Sequence, residues 1–327
     1  MKILITGIHG FVGSNLVAYL AKDNELYGLD IIAPEKEGVI KTFSWDDLDA
    51  GRVPAVDAII HLAGKAHDTK NQSAADVYFK VNTGLTQKIF DWFLSQPSCR
   101  KFVFFSTAKA AADKVDGILT EDVVPTPVGP YGESKIKAEN YILEKFKELK
   151  VQGSNIPEPS TLNPQPSKDV YIFRPCMIHG PGNKGNLNLL YNVVRKGIPW
   201  PLGAFENRRT FTSVENICFA VSGVLTRDVP SGIYNMGDDE ALSTNELIEE
   251  ICRSLGKRAH IWRLPKGMME GFAKVGGWLH LPLNPERLRK LTEDYVSSNA
   301  KIKKALGVER MPVDAREGLQ RTLESFK

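Results

Sequence analysis

The chain has 327 residues, 42% of them hydrophobic and 25% charged, a balance that excludes a wholly disordered polymer and fits one large or two moderate domains. Lys and Arg (42) nearly cancel Asp and Glu (39) to leave +3, and no basic stripe stands out, which argues against a nucleic-acid partner. No run approaches 18 uninterrupted apolar residues, so no membrane-spanning helix is expected.

The chain opens on a short apolar run, Lys2–Thr6, that enters a glycine-rich turn directly. It is too short for the core of a secretory signal, so the expected address is cytoplasmic. Apolar strand patterns then recur at 26–30, 56–62, 101–106 and 170–173, with a weaker one at 39–43. Helical patterns lie between them at 11–21, 74–94 and 134–149. Near-continuous runs such as Ala-Ile-Ile and Phe-Val-Phe-Phe suit strands covered on both faces, and the alternation predicts an α/β fold built on a doubly wound parallel sheet. Four prolines within 151–169 (157, 159, 164 and 166) predict a solvated insertion, not helix or central strand. Beyond 175 the alternation fades, so the chain divides into a first domain at 1–175 and a smaller α/β domain at 176–327. Parts of the second are free to pack back on the first. The segment 267–283, broken by Glu270, Lys274, His280 and Pro282, reads as an amphipathic helix packed on its own domain. Cys99, Cys176, Cys218 and Cys252 are far apart and none of the six histidines forms a ligand pair, so free thiols and no metal are expected.

Three clusters carry chemistry. The turn Thr6-Gly7-Ile8-His9-Gly10-Phe11-Val12-Gly13 follows a buried strand and opens a helix, which suits a dinucleotide pyrophosphate held at the helix N-terminus by Gly7, Gly10, Phe11, Val12 and Gly13. Asp30 ends the second strand, 17 residues past Gly13. A carboxylate there accepts from the adenosine ribose hydroxyls and repels a 2′-phosphate, favouring NAD over NADP. Tyr131 and Lys135 are four apart on one helix face. The ammonium is expected to lower the phenol toward the working pH and so make Tyr131 a general base, while Thr107 supplies a hydroxyl at a strand's carboxyl end.

These segments, with His61-Leu-Ala-Gly64, Val81-Asn82, Arg174-Pro175, Gly180-Pro-Gly182 and 208–216, occur in the order of the extended short-chain dehydrogenases, and the chain resembles their NAD-dependent epimerase/dehydratase family. The resemblance implies a Rossmann-type sheet, NAD, and Thr107, Tyr131 and Lys135 as the catalytic triad. It also implies Leu62, Ala63, Gly64 and Asn82 along the cofactor. The substrate it implies is a nucleoside-diphosphate sugar, UDP-linked, touched by Asn186 and Leu187. Arg209 falls on the diphosphate, with its register uncertain by one against Arg208, and either Arg287 or Arg289 supplies a second phosphate contact. A homodimer paired through helices 74–94 and 134–149 follows from the same likeness. Where dehydratases of the family carry an Asp-Glu pair after the threonine, this chain has Ala108 and Lys109, so dehydration is not expected. His179 either lines the sugar pocket or fills a turn. Three readings stay open: 4-epimerisation by transient C4 oxidation, one-way NADH-dependent reduction of a 4-keto-6-deoxy sugar, and NAD binding without turnover.

Overall fold

A computed structural model describes residues 1–65, 74–183 except 155–166, 185–279 and 284–327. Along the chain, β1 (Lys2–Thr6) leads to α1 (Phe11–Leu20), β2 (Glu25–Leu29), β3 (Lys41–Phe43), α2 (Trp45–Asp49) and β4 (Ala58–His61). Next come α3 (Ala75–Tyr78), a π-helical turn (Phe79–Gly84), α4 (Leu85–Ser95), β5 (Lys101–Phe105), α5 (Ala108–Ala111), β6 (Ile118–Leu119), α6 (Gly129–Ser154), β7 (Asp169–Pro175), β8 (Met177–His179) and α7 (Asn186–Arg195). The rest of the chain forms β9 (Phe211–Ser213), α8 (Val214–Thr226), β10 (Gly232–Met236), α9 (Thr244–Ser254), α10 (Lys266–Trp278), α11 (Pro285–Thr292), β11 (Val296–Ser297), α12 (Ala300–Leu306) and α13 (Ala315–Glu324).

Seven strands form one parallel sheet in the order β10-β7-β5-β4-β1-β2-β3. Its two faces separate by the two-residue period of the strands. Ile3, Ile5, Ala58, Ile60, Val103, Phe105, Tyr171 and Phe173 face one core with α1, α8 and α12. Leu4, Ile59, Phe102, Phe104, Val170 and Ile172 face the other with α4 and α6. This double burial is why the middle stretches of the central strands are apolar without alternation. Each fully buried Phe, Ile or Leu contributes about 1.5–3 kcal/mol relative to an exposed one.

The predicted helix at 74–94 is interrupted by the π-helical turn, which a 3.6-residue apolar pattern does not reveal. The helix predicted at 134–149 starts earlier and ends later, and α6 followed by β7 takes up both edges of the predicted insertion 151–169. Its prolines lie outside the described residues. The strand β10 and the helix α8 come from beyond residue 175, so both stretches of the chain build the sheet. The remaining elements form a smaller assembly in which α7, α9 and α13 share a core around Leu187, Ile248 and Leu319, and Leu202, Met269, Ala273 and Leu288 share another.

Candidate active site

The carboxyl ends of β1, β4 and β5, adjacent strands of the sheet, bring the three sequence clusters to one edge, where open α/β sheets bind ligands. After β1 the backbone turns at Gly7, whose φ of +69° needs glycine, and a Cβ there would lie 2.9 Å from the Ala63 nitrogen. A Cβ on Gly13 would lie 2.6 Å from the Gly7 carbonyl oxygen, so α1 can start this close to β1 only with glycine at that position. Gly10 precedes α1 and offers no side-chain cap. The first-turn N–H groups of Phe11, Val12 and Gly13 therefore point outward for an anion. The Asp30 carboxylate accepts from the backbone N–H of His9 (3.1 Å) and of Ile31 (2.8 Å), which fixes it at the end of β2 beside this turn. The loop, the fixed carboxylate and the open helix end fit a dinucleotide. Phe11 also closes on the turn at Gly180 and Gly182.

Thr107 follows β5 and caps α5, while Tyr131 and Lys135 stand on α6. The Thr107 and Tyr131 hydroxyls are hydrogen-bonded to each other. Burial raises the Tyr131 phenol above its ordinary value, the Thr107 hydrogen bond opposes that shift, and the nearby Tyr78 adds to it. The expectation that Lys135 lowers this phenol is corrected here. The ammonium donates instead to the Phe105 carbonyl at 2.8 Å. Burial depresses Lys135 itself to about 8, against which the Glu139 carboxylate acts. Gly64 is pressed against the same group, since a Cβ there would lie 2.9 Å from Asn82 Oδ1 and 3.1 Å from Lys135 Nζ. Gly64, Asn82, Lys135, Tyr131 and Thr107 thus share one small volume, with Leu62 and Ala63 leading into it.

A buried chain of hydrogen bonds fixes this volume. Thr6 Oγ1 accepts from the Ala63 N–H (3.0 Å), leaving its single proton for His61 Nδ1 (2.7 Å). Thr86 Oγ1 donates to the Asn82 carbonyl (2.6 Å) and therefore accepts from His61 Nε2–H (2.9 Å). One proton per hydroxyl determines the tautomer. Burial, helped by the Lys135 charge, holds the His61 pKa well below its ordinary value, so the ring is neutral. Asn82, in the π-helical turn, donates to Ser134 Oγ (3.0 Å), and Ser134 donates to the Tyr131 carbonyl (2.9 Å). Strands β1 and β4 are in this way tied to the helix that carries Tyr131.

Sequence reasoning missed a second anchor. Four residues after Lys135 on α6, Glu139 is fully buried and accepts from Arg174 Nε at 3.0 Å and from Arg174 Nη2 at 2.6 Å, and also from the Ser106 hydroxyl. The signal was present in two places: an arginine in the apolar strand Asp169–Pro175, and a glutamate continuing the spacing of Tyr131 and Lys135.

On the other side of Thr107, Lys109 does not enter the threonine's surroundings as a free acid–base group. Its Nζ donates to the Asp113 carbonyl (2.7 Å) and carboxylate (3.0 Å) and lies 4.7 Å from the centre of the Tyr295 ring. Arg289 reaches the same Asp113 carboxylate at 3.6 Å, which places it on this flank; Arg287 sits in the first turn of α11, its N–H capped by Asn284. Arg209 is half-buried, donates to the Lys290 carbonyl (2.7 Å), and has Cys176, Tyr295 and Glu293 as its charged or titratable neighbours. Arg208 is exposed and donates to the Ala241 carbonyl, so the structure turns Arg209, not Arg208, toward this flank. Asn186 opens α7 at the surface. Leu187 is 1% exposed within the core shared with Tyr191, which leaves only its backbone for a ligand. His179 is buried between Thr322 (2.9 Å) and Asp238 (3.4 Å). It ends β8 with its ring held inside the protein.

The model of the family described as "NAD dependent epimerase/dehydratase family" matches residues 3–237. The chain is 27% identical to the UDP-glucose 4-epimerase of Vibrio cholerae over 99% of its own length and 95% of that protein. It is 24% identical to the GDP-6-deoxy-D-mannose reductase of Pseudomonas aeruginosa over 76% of this chain and 78% of that one. Among solved structures, MoeE5 in complex with UDP-glucuronic acid and NAD superposes with a TM-score of 0.74 at 20% identity, covering 99% of this chain and 98% of MoeE5.

Proposed function

We propose that this chain, which belongs to the NAD dependent epimerase/dehydratase family, inverts the configuration at C4 of a nucleoside-diphosphate sugar, either a UDP-hexose or a UDP-N-acetylhexosamine. It is an enzyme and its cofactor is NAD. The observation that carries the reading is the hydrogen-bonded Thr107–Tyr131 pair standing by the buried Lys135 and Gly64 at the sheet's carboxyl edge. The likeness to the Vibrio cholerae 4-epimerase along the whole chain supports it.

When bound, NAD supplies a reversible hydride acceptor. As the phenolate, favoured by the Thr107 hydrogen bond against the burial that raises it, Tyr131 takes the proton from the sugar O4 hydroxyl and, as the phenol, later returns it, a general-base role that needs the oxygen in hydrogen-bond reach of O4. Thr107 holds the same oxygen through its hydroxyl and fixes the phenol's direction. Lys135, its ammonium held by the Phe105 carbonyl, reaches the ribose side of the cofactor cleft over Gly64 and Asn82. Phe11, Val12 and Gly13 take the cofactor pyrophosphate on their N–H groups, and Asp30 takes the adenosine ribose. Arg209 and Arg289 neutralise the substrate diphosphate, and Asn186 with the Leu187 backbone meets its nucleotide. Beside Thr107, Ala108 and the tethered Lys109 provide no carboxyl pair, which disfavours water elimination.

One-way reduction of a 4-keto-6-deoxy sugar by NADH uses the same three residues, and the likeness to the Pseudomonas aeruginosa reductase favours it as the second reading. Retention of Tyr131 speaks against a sensor that binds NAD without turnover. A cytoplasmic homodimer pairing through α4 and α6, with the cofactor held by 1–175 and the sugar nucleotide by 176–327, belongs to the same proposal. Tyr131→Phe tests the chemistry: it keeps the ring and should lower turnover by about 10²–10⁴ while NAD still binds. Undiminished turnover, on UDP-hexoses and on a 4-keto sugar with NADH alike, would refute the assignment.

A further inference from the structure

The helix α10 carries two apolar rows one residue out of step. Met269, Ala273 and Gly276 form the inner row, 3% or less exposed at Met269 and Ala273, packed on Leu202 and Leu288. Met268, Phe272, Val275 and Leu279 form the second row at the same spacing, and they are 40%, 56%, 53% and 51% exposed. Trp278 beside them is 80% exposed, and Trp262, on the segment leading into the helix, is 54% exposed. The expectation of a helix packed on its own domain therefore holds for one row and fails for the other. A monomer surface rarely leaves so many large apolar side chains together on one element.

Charge decides what covers them. On α10 and the segment from Trp262 that leads into it there are three cations (Arg263, Lys266 and Lys274) and a single acid, Glu270; all four are exposed. A second copy of this chain, presenting the same cations, would be repelled there. An anionic lipid surface offers the opposite charge and an apolar layer at the depth the rings reach, and helices with Trp, Phe and Leu on one face and Lys or Arg on the other lie in that interface. We infer that the outer row of α10 docks the enzyme on an anionic membrane surface. The inference does not depend on which sugar the active site turns over.

The test uses the full-length protein and vesicles of phosphatidylcholine with about 30 mol% phosphatidylglycerol, compared with phosphatidylcholine alone. The protein should sediment with the anionic vesicles, less so as salt rises, and its tryptophan emission should shift to the blue. The double variant Phe272→Ser/Trp278→Ser should sediment about tenfold less. Because both side chains are solvent-exposed, its circular dichroism and thermal midpoint should match those of the parent. Failure of the parent to sediment, or equal sedimentation of parent and variant, would overturn the inference. Self-association that depends on Phe272 and Trp278 without vesicle binding would assign the face to a second copy and equally overturn it.

Discussion

Replacing Arg174 by Met should be among the most damaging single changes in the molecule that touch neither cofactor nor substrate. The Arg174 and Glu139 side chains are 2% and 0% exposed, and the guanidinium donates to both carboxylate oxygens. Met fills a similar volume, so the cost comes from charge and not from a cavity. It leaves a carboxylate away from water with the Ser106 hydroxyl as its remaining described donor. Breaking a buried pair on one side costs about 3–5 kcal/mol, whereas replacing both partners by apolar or neutral groups can be nearly neutral. Arg174→Met should therefore lower the urea midpoint by about 1 M, and Glu139→Leu/Arg174→Met should recover most of that loss. The same carboxylate sits four residues beyond Lys135 on α6, so the single variant should also lose turnover, and the double variant should regain less turnover than stability. Equilibrium urea unfolding followed by circular dichroism, with turnover measured on the same preparations, reads both effects. A midpoint within about 0.2 M of the parent for Arg174→Met, or a double variant no more stable than the single, would refute the argument.

Three further outcomes follow from the site. Asp30→Ser removes the carboxylate held by His9 and Ile31 and should weaken NAD binding while raising acceptance of NADP; calorimetric titration of both cofactors checks it, and an unchanged preference contradicts it. Lys135 has its pKa lowered to about 8 by burial, so the folded protein releases this proton at lower pH than the unfolded chain. Its burial penalty is complete below 8 and relieved as pH rises from 8 toward 10.5. The stability gained by Lys135→Met should accordingly shrink above pH 8, and NAD affinity of the parent should fall as the ammonium is lost; a flat affinity between about pH 7 and about pH 9 would contradict this. Gly13→Ala puts a methyl 2.6–2.8 Å from the backbone of Gly7 and Ile8, which should cost about 1–3 kcal/mol and abolish NAD binding; a well-folded variant that binds NAD would show that the close approach of α1 to β1 is not needed.

The first half of the fold was legible because its strands are buried on both faces. Runs such as 58–60 and 102–105 stay apolar at every position, and helical periodicity fills the gaps between them. The second half was less so. The strand Gly232–Met236 enters the sheet at an edge, and β8, β9 and β11 are three residues or fewer, too short for an alternation to register. The π-helical turn was invisible because an added residue per turn leaves composition unchanged, although it carries Asn82. In the candidate site, the glycine spacing and the Tyr131–Lys135 interval were legible because those signals are local in sequence. The direction of the Tyr131 shift was not, because burial and the Phe105 carbonyl that holds Lys135 are contributed by other elements. The pairing of Glu139 with Arg174 was likewise a product of tertiary structure, joining residues on α6 and β7.

The central claim is that this site returns to C4 of a sugar nucleotide the hydride it removes. The protein, purified without added cofactor, should be mixed with UDP-hexoses and UDP-N-acetylhexosamines one at a time and the anomeric proton signals followed by NMR. The account predicts that one sugar equilibrates with its C4 epimer with no net change in cofactor oxidation state. Turnover that requires stoichiometric NADH and a 4-keto sugar, with every UDP-hexose and UDP-N-acetylhexosamine unchanged, would contradict epimerisation and make the enzyme a reductase.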